Sequence, residues 1–360
     1  MSKKIRTVGV TGATGTIGQA FVRFLVRRSD VRVLALVRRQ PRLAEAKIRT
    51  TLGDLFNRAA LEWLVSQSDV IVHLAARNPR TDEQDRKEQV SFFATNSAGA
   101  MNIARLAAQH RKQFVHVSSV AVYELSERTS GIFDEQEQLP GRSETRGWAQ
   151  KAEAFFAQVA TDWMKGSTND LRPEIGQFLE SWPPPQNEGI YPLSKFLGEP
   201  PIEMLPKGVI LRLSDVYGPG RKPRGIIQDC LSALLGGGEV VIDFGPRGLV
   251  SFICIRDVLQ VLLAAVTTSS DIPQVINVAS PISVSETSLE DFLKEIRSEA
   301  GFASAIRVRR TTPAQQFRTF DVTKMKQYWG FEEPMSLREG LRYTIHYLRH
   351  APQQEHDHHF

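Results

Sequence analysis

Cysteine is scarce in this sequence: Cys230 and Cys254 are the two present in 360 residues. Two thiols cannot build a disulfide framework, so a reducing compartment, the cytoplasm, is expected. Long apolar runs are also missing. The longest stretches, such as Val258–Val266, fall well short of the ~20 residues that span a bilayer, so no membrane partner is expected. Met1-Ser2-Lys3-Lys4-Ile5 leads straight into a strand-like run without an apolar h-region, so no secretory signal is read. There is no internal repeat or low-complexity block. The basic residues form no stripe interleaved with aromatics, which argues against nucleic acid as a partner. Paired metal-ligand spacing is absent outside Glu355-His356-Asp357-His358-His359-Phe360. That segment reads as a frayed tail over 351–360, and no metal is expected.

The chain is otherwise of ordinary globular make-up, 41% apolar and 24% charged. At ~150 residues per domain its length predicts roughly two domains. The formal charge of +5 is unevenly spread: residues 124–187 hold 6 basic and 11 acidic groups, leaving +10 on the rest. A basic body suits an anionic ligand and would attract the acidic segment electrostatically, a contact that high salt should loosen.

Strand and helix patterns alternate through the first half. Ile5–Val10, Val31–Val37, Lys47–Leu52, Val70–Leu74 and Phe114–Val117 read as strands, and Thr16–Val26 and Ser91–Gln109 as helices. This rhythm predicts an α/β fold of Rossmann type, a doubly wound parallel sheet with helices on both faces. Thr11-Gly12-Ala13-Thr14-Gly15-Thr16-Ile17-Gly18 joins the first strand to the first helix. Glycines three apart let a backbone turn tightly against a pyrophosphate, and the helix start offers free N–H groups. Tyr191 and Lys195 stand four apart, so on a helix they share a face. A free phenol titrates near ~10, and a neighbouring ammonium favours its phenolate.

These segments, in this order, resemble the extended short-chain dehydrogenases/reductases, the NAD-dependent epimerase/dehydratase family. The matching marks are TGATGTIG at 11–18, GDL at 53–55, HLAA at 73–76, NSAGAMNIARLA at 96–107, HVSSVAVYE at 116–124, YPLSK at 191–195, LRLSDVYGPG at 211–220 and FDVTKMKQYWGF at 320–331. The resemblance implies hydride transfer between a nicotinamide and a secondary alcohol or ketone of a small polar substrate. It assigns catalysis to Ser119, Tyr191 and Lys195, with Tyr191 as acid/base, Ser119 orienting the reacting oxygen and Lys195 also holding the nicotinamide ribose. Ser118 is the rival of Ser119. The implied cofactor contacts are Gly12, Thr14, Gly15, Thr16, Ile17 and Gly18 at the turn, Asp54 and Leu55 at the adenine, and Leu74, Ala75 and Ala76 under the adenosine ribose and pyrophosphate. Asn96, Leu213 and Val216 complete the set, alongside Tyr191 and Lys195. Asp54 also suits a helix N-cap, and Asn96 an internal helix hydrogen bond. His73 reads as a strand-end histidine. The second strand ends in Arg38-Arg39 with no carboxylate, so NADP(H) is expected over NAD(H).

The chain departs from the family pattern in several places. Val120-Ala121 follow Ser119 where nucleotide-sugar dehydratases carry Asp-Glu, so no acid stands ready for water elimination. Asp215 replaces an asparagine, and Val250 an arginine, that meet the substrate's phosphates. Arg247 is the candidate replacement for that arginine, Arg309 and Arg310 stand near where the family places a uridine-side arginine, and Asp215 and Arg247 are the candidate substrate contacts. A carboxylate at 215 would instead attract an amine-bearing substrate. Cys254, in place of a histidine, reads as a buried strand residue. Residues 124–187 read as an inserted helical hairpin. One stripe holds Trp148, Ala152, Phe155, Phe156, Val159 and Trp163, and a second helix beginning at Leu171-Arg172-Pro173 carries Ile175, Phe178, Leu179 and Trp182. It is either a lid over the substrate or a surface packed on the body or on a dimer partner.

The expected organisation is a dinucleotide-binding domain over 1–222 that contains the insertion. A substrate-binding lobe over 223–350 returns segments to it. A homodimer is expected. An epimerase that retains its cofactor is the alternative to a reductase, and a cofactor-sensing protein without turnover is the third reading.

Overall fold

The computed structural model describes residues 5–39, 48–78, 85–167, 170–220, 225–242, 247–268, 274–301, 305–308, 316–329 and 334–350. In chain order the first half comprises β1 (Arg6–Thr11), α1 (Thr16–Val26), β2 (Val31–Val37), β3 (Ile48–Leu52), α2 (Arg58–Ser66), β4 (Val70–His73), α3 (Arg86–Phe92), α4 (Gly99–Gln109), β5 (Gln113–Ser119), β6 (Gly131–Phe133), α5 (Ser143–Lys165), α6 (Arg172–Ser181) and α7 (Ile190–Phe196). Then come α8 (Pro200–Glu203), β7 (Gly208–Leu213), β8 (Asp215–Tyr217), α9 (Ile226–Leu235), β9 (Val240–Ile242), β10 (Arg247–Cys254), α10 (Ile255–Thr267), β11 (Val275–Val278), β12 (Ser283–Val284), α11 (Glu286–Ala300), β13 (Ile306–Val308), β14 (Gln316–Phe320), α12 (Thr323–Trp329) and α13 (Leu337–His350).

Seven strands form one parallel sheet in the order β11-β7-β5-β4-β1-β2-β3. β4, β5 and β7 are buried nearly throughout, which explains their unbroken apolar runs: a parallel sheet is covered on both faces. Because the strands are parallel, Thr11, Val37, Leu52, His73, Ser119 and Leu213 all end at one edge, and every candidate catalytic residue lies at or just beyond it. Strand order reverses at β1, and a crevice opens there between the β1 and β4 ends.

A second, smaller lobe has its own core of Tyr217, Leu231, Ile242, Leu293 and Leu341. It is built on the β12-β10-β14-β6 sheet, with β8 added to β10, and on the β13-β9 pair. Val275–Val278 is β11, the edge strand of the large sheet, and α10 packs on α1, so both are segments that the second half returns to the first. One expectation changes here: residues 124–142 are not part of a helical hairpin. Gly131–Phe133 pairs with Arg318–Phe320, so this stretch builds the second sheet and the inserted hairpin is α5 and α6 alone.

Most of the hairpin's stripe is buried against the body, whereas Trp182 is exposed. α5 and α6 pack on α3, α4 and the π-helical turn Phe93–Ala98 between them. Phe93 stacks with Phe156 at 6.1 Å and meets Trp148 at 5.7 Å, and Phe155 stacks on Phe178 at 4.3 Å. Arg105 of α4 donates to Thr161 Oγ1 (2.7 Å) and to the Ala157 carbonyl (2.8 Å). This attachment is apolar at its centre, and the stripe packs on the body of the chain.

Candidate active site

The turn after β1 is shaped for close backbone approach. Gly12 has φ +69°, and a Cβ there would lie 2.5 Å from the Leu74 carbonyl carbon and the Ala75 nitrogen. No other L-residue fits both demands. A Cβ on Gly18 would run into the Gly12 carbonyl, so α1 starts tight against the turn. Gly15 is the exposed N-cap of α1 and makes no side-chain cap, which leaves the helix start open to an anion. Thr14, Thr16 and Ile17 are all accessible at this mouth. Across the crevice, the Leu74 amide donates to the Thr11 carbonyl (3.1 Å), and Leu74, Ala75 and Ala76 are half-buried to exposed. This cradle, narrow at Gly12 and lined by small residues, fits the pyrophosphate and ribose of a dinucleotide.

Arg38 and Arg39 are exposed just past β2. The Gly53 amide donates to the Val37 carbonyl (3.0 Å), so the Gly53–Asn57 loop sits beside them. Asp54 Oδ1 accepts from the Phe56 and Asn57 amides at 2.9 and 3.1 Å, while Asn57, not Asp54, is the N-cap of α2. Leu55 is buried against Gly99.

α7 carries Tyr191 and Lys195 one turn apart and packs on β5 and on the 3-10 turn Val120–Leu125 that follows Ser119. Tyr191 is half-buried, with Phe92 edge-on at 6.3 Å. Lys195 is 2% exposed, and its Nζ donates to the Val117 carbonyl at 2.7 Å. Burial brings its pKa down from 10.5 to about 8, against the opposing pull of Glu199 one turn on. Ser119 Oγ accepts from the Ala121 amide (3.1 Å), so its own hydrogen remains to be donated. Ser118, its rival, points the other way along the strand and is buried.

Asn96 lies in the π-helical turn, and its side chain is a brace. Oδ1 accepts from the Arg77 amide (2.7 Å), and Nδ2 donates to the Arg77 carbonyl (3.0 Å) and to Ser194 Oγ (2.9 Å). Ser194 in turn donates to the Tyr191 carbonyl (2.9 Å). The irregular turn thus ties the segment after β4 to the helix of Tyr191.

Beneath α7 runs a buried polar row that the sequence reading did not identify. Glu199 takes two hydrogen bonds from Arg212, at 2.7 and 3.2 Å, with both side chains almost wholly buried. Burial alone would lower the Arg212 pKa, but the Glu199 carboxylate outweighs it and the guanidinium stays charged. Its cation lies 5.0 Å from the Tyr123 ring centroid, and the Tyr123 hydroxyl donates to Asn277 Oδ1 (2.7 Å). His73 and His116 stack at 5.4 Å, and Thr11 Oγ1 bonds His73 Nδ1 (2.7 Å). Burial first, and Lys195 second, push His73 down to about 3 and His116 well below its usual value, so both are neutral. One signal was available: Glu199 is four residues after Lys195, and Arg212 interrupts an otherwise apolar strand.

Leu213 and Val216 are buried, whereas Asp215 between them is exposed and pairs with Phe252 of β10. Arg247 opens β10, and Val250 is buried. Arg309, Arg310 and the 351–360 tail lie outside the described residues. Cys230 and Cys254 are buried, and burial pushes their thiols up to about 12 and about 11, which removes them as nucleophiles at neutral pH. Among the described residues, no helix is long and apolar enough to cross a membrane.

A doubly wound sheet with a glycine turn at its switch point and a Tyr-Lys helix beside β5 has the architecture of a dinucleotide-binding domain. Residues 8–145 match the model of the NAD dependent epimerase/dehydratase family. UDP-glucose 4-epimerase of Vibrio cholerae is 28% identical over 121 residues, 33% of this chain and 37% of that protein, so the match spans just over a third of the relative. UDP-N-acetyl-alpha-D-glucosaminuronate decarboxylase of Bacillus cytotoxicus is 21% identical over 309 residues, 82% of this chain and 81% of its own. A solved structure of UDP-glucuronic acid 4-epimerase from Bacillus cereus, in complex with UDP-glucuronic acid and NAD, superposes with a TM-score of 0.69 at 20% identity, covering 95% of this chain and 99% of that one.

Proposed function

We propose that the chain is a nicotinamide-dependent oxidoreductase that moves a hydride to or from the carbon of a secondary alcohol or ketone in a small polar substrate. The observation that carries this reading is the buried Lys195, held on the Val117 carbonyl two residues before Ser119 ends β5, and on the same helix face as Tyr191. A bound nicotinamide would supply or accept the hydride. Tyr191 would give or take the proton at the substrate oxygen, and the nearby ammonium favours its phenolate. Ser119 would donate its free hydrogen to the same oxygen and fix its position. Tyr191→Phe should lower turnover by roughly 10²-fold or more while cofactor affinity stays within about twofold. Full activity in that variant would remove Tyr191 from the chemistry.

NADP(H) is the proposed cofactor, supported by Arg38 and Arg39 past β2 and by the lack of a carboxylate there. Titration with both cofactors decides this: NADP+ should bind tighter, and Arg38→Asp should reverse the order. Equal binding with a harmless Arg38→Asp returns the assignment to NAD. A second reading, a sugar epimerase that keeps its cofactor, is favoured by the likeness to UDP-glucose 4-epimerase and UDP-glucuronic acid 4-epimerase. Mass analysis of the native protein separates the two. Retained cofactor with no net redox supports the epimerase, and stoichiometric oxidation of the reduced nicotinamide supports the reductase. A cytoplasmic homodimer remains part of the proposal, and light scattering reads its size.

A further inference from the structure

One end of the inserted hairpin lies against the Gly53–Asn57 loop. Trp163, fully buried near the end of α5, donates its indole N–H to the Phe56 carbonyl at 2.9 Å. Arg172, at the start of α6, lies with its guanidinium carbon 4.9 Å from the Phe56 ring centroid. Asp170 holds one edge of that guanidinium at 2.9 Å. The other edge faces Asp54 Oδ2 at 3.8 Å, too long for a hydrogen bond. Asp54 Oδ1 is already taken by two backbone amides, whereas Oδ2 is the oxygen that faces Arg172. An open groove lined by Asp54, Phe56, Asn57, Arg58, Glu62 and Gln109 runs beside this cluster.

In a dinucleotide held by its pyrophosphate at α1, the adenosine ribose reaches the end of β2. The base therefore extends toward the neighbouring β3 end, which is the Gly53–Asn57 loop. We infer that Arg172, a residue of the insertion, is a binding residue for the adenosine end of the cofactor. Its side chain is about half exposed (47%), with the Phe56 ring against it and Asp170 on one edge. A planar cation fixed in this way offers a stacking face to a purine and a charge to nearby phosphate oxygens. It also balances the Asp54 carboxylate, leaving Oδ2 to accept from an exocyclic amine without an uncompensated charge in the loop. The hairpin thus extends the nucleotide site of the body.

This inference rests on the nicotinamide-cofactor reading above, and calorimetric titration separates the two. Wild type, Arg172→Ala and Arg172→Lys are titrated with AMP, with nicotinamide mononucleotide and with NADP+. For Arg172→Ala we expect AMP and NADP+ to bind at least about fivefold more weakly, with nicotinamide mononucleotide unchanged. Arg172→Lys keeps the charge but not the plane and should fall between. AMP binding that is unchanged or tighter in Arg172→Ala overturns the role of Arg172. Wild type that binds neither AMP nor NADP+ overturns the cofactor reading and this inference with it. If Arg172→Ala does not fold, Arg172→Gln, which keeps the aliphatic stem, is read by the same criteria.

Discussion

Lys195 should destabilise the free protein that it serves. Its ammonium is buried under α7 with one hydrogen bond, to the Val117 carbonyl, and burial lowers its pKa from 10.5 to about 8. The gap between those two values is worth about 3 kcal/mol, charged against the folded state wherever the lysine is protonated in both states. That cost is present in full below about pH 8. Between about pH 8 and 10.5 the folded protein has released the proton and the unfolded chain still holds it, so stability rises with pH. Above that window the penalty is gone. Lys195→Met removes the charge at every pH but leaves the Val117 carbonyl without this donor, at a cost of about 1 kcal/mol. The variant should therefore be about 2 kcal/mol more stable than wild type at pH 7, and about 1 kcal/mol less stable once the penalty is gone above about pH 10.5. Urea unfolding of both proteins at pH 7, 9 and 10.5 measures this. A variant less stable at pH 7, or a difference that stays flat across the series, would refute the account of Lys195 as an ammonium strained by burial. Loss of turnover in the same variant would make the strain a cost of function.

Glu199→Gln should be costly, because it strands the buried Arg212 cation with a neutral amide in place of a two-point carboxylate. About 3–5 kcal/mol of stability is expected to go, read from urea midpoints at neutral pH, and a loss below about 1 kcal/mol would mean that the pair is not buried as described. Trp163→Ala should cost about 3–5 kcal/mol and free the end of α5, so that cleavage near residues 166–171 quickens in limited proteolysis. Because the hairpin is held by apolar packing, wild-type cleavage there should change little between low and high salt. Gly12→Ala should abolish cofactor binding, since the new Cβ cannot coexist with the Leu74–Ala75 backbone at φ +69°. Retained affinity on titration would contradict that geometry.

Much of this was legible in the residues. Unbroken β-branched runs marked the buried parallel strands, because a strand covered on both faces needs no polar alternation. The glycines of the first turn and the i, i+4 spacing of Tyr191 and Lys195 carried their geometry within a few residues. The helical stripes of the insertion were equally local, and so was the start of α6 at Arg172-Pro173. What they pack against was not local. The stripe of Trp148, Phe156 and Trp163 reads the same whether it covers a substrate, a partner or the body, and only the position of α3, α4 and the π-helical turn decided it. Asn96 fits a helix hydrogen bond by sequence, yet it joins Arg77 and Ser194 because the π turn directs it there. Val275–Val278 and Gly131–Phe133 are short, and a strand of a few residues carries no mark of the sheet it will join.

The sequence by itself determined the alternation of elements, the glycine turn and the shared helix face of Tyr191 and Lys195, since each depends on neighbours at most a turn away. Tertiary structure alone decided how buried charge is balanced: Glu199 against Arg212, and Lys195 between that carboxylate and the Val117 carbonyl. It also decided that the insertion reaches the Asp54 loop. Those contacts join segments that are distant along the chain, and their energies depend on burial, which no local pattern of residues fixes.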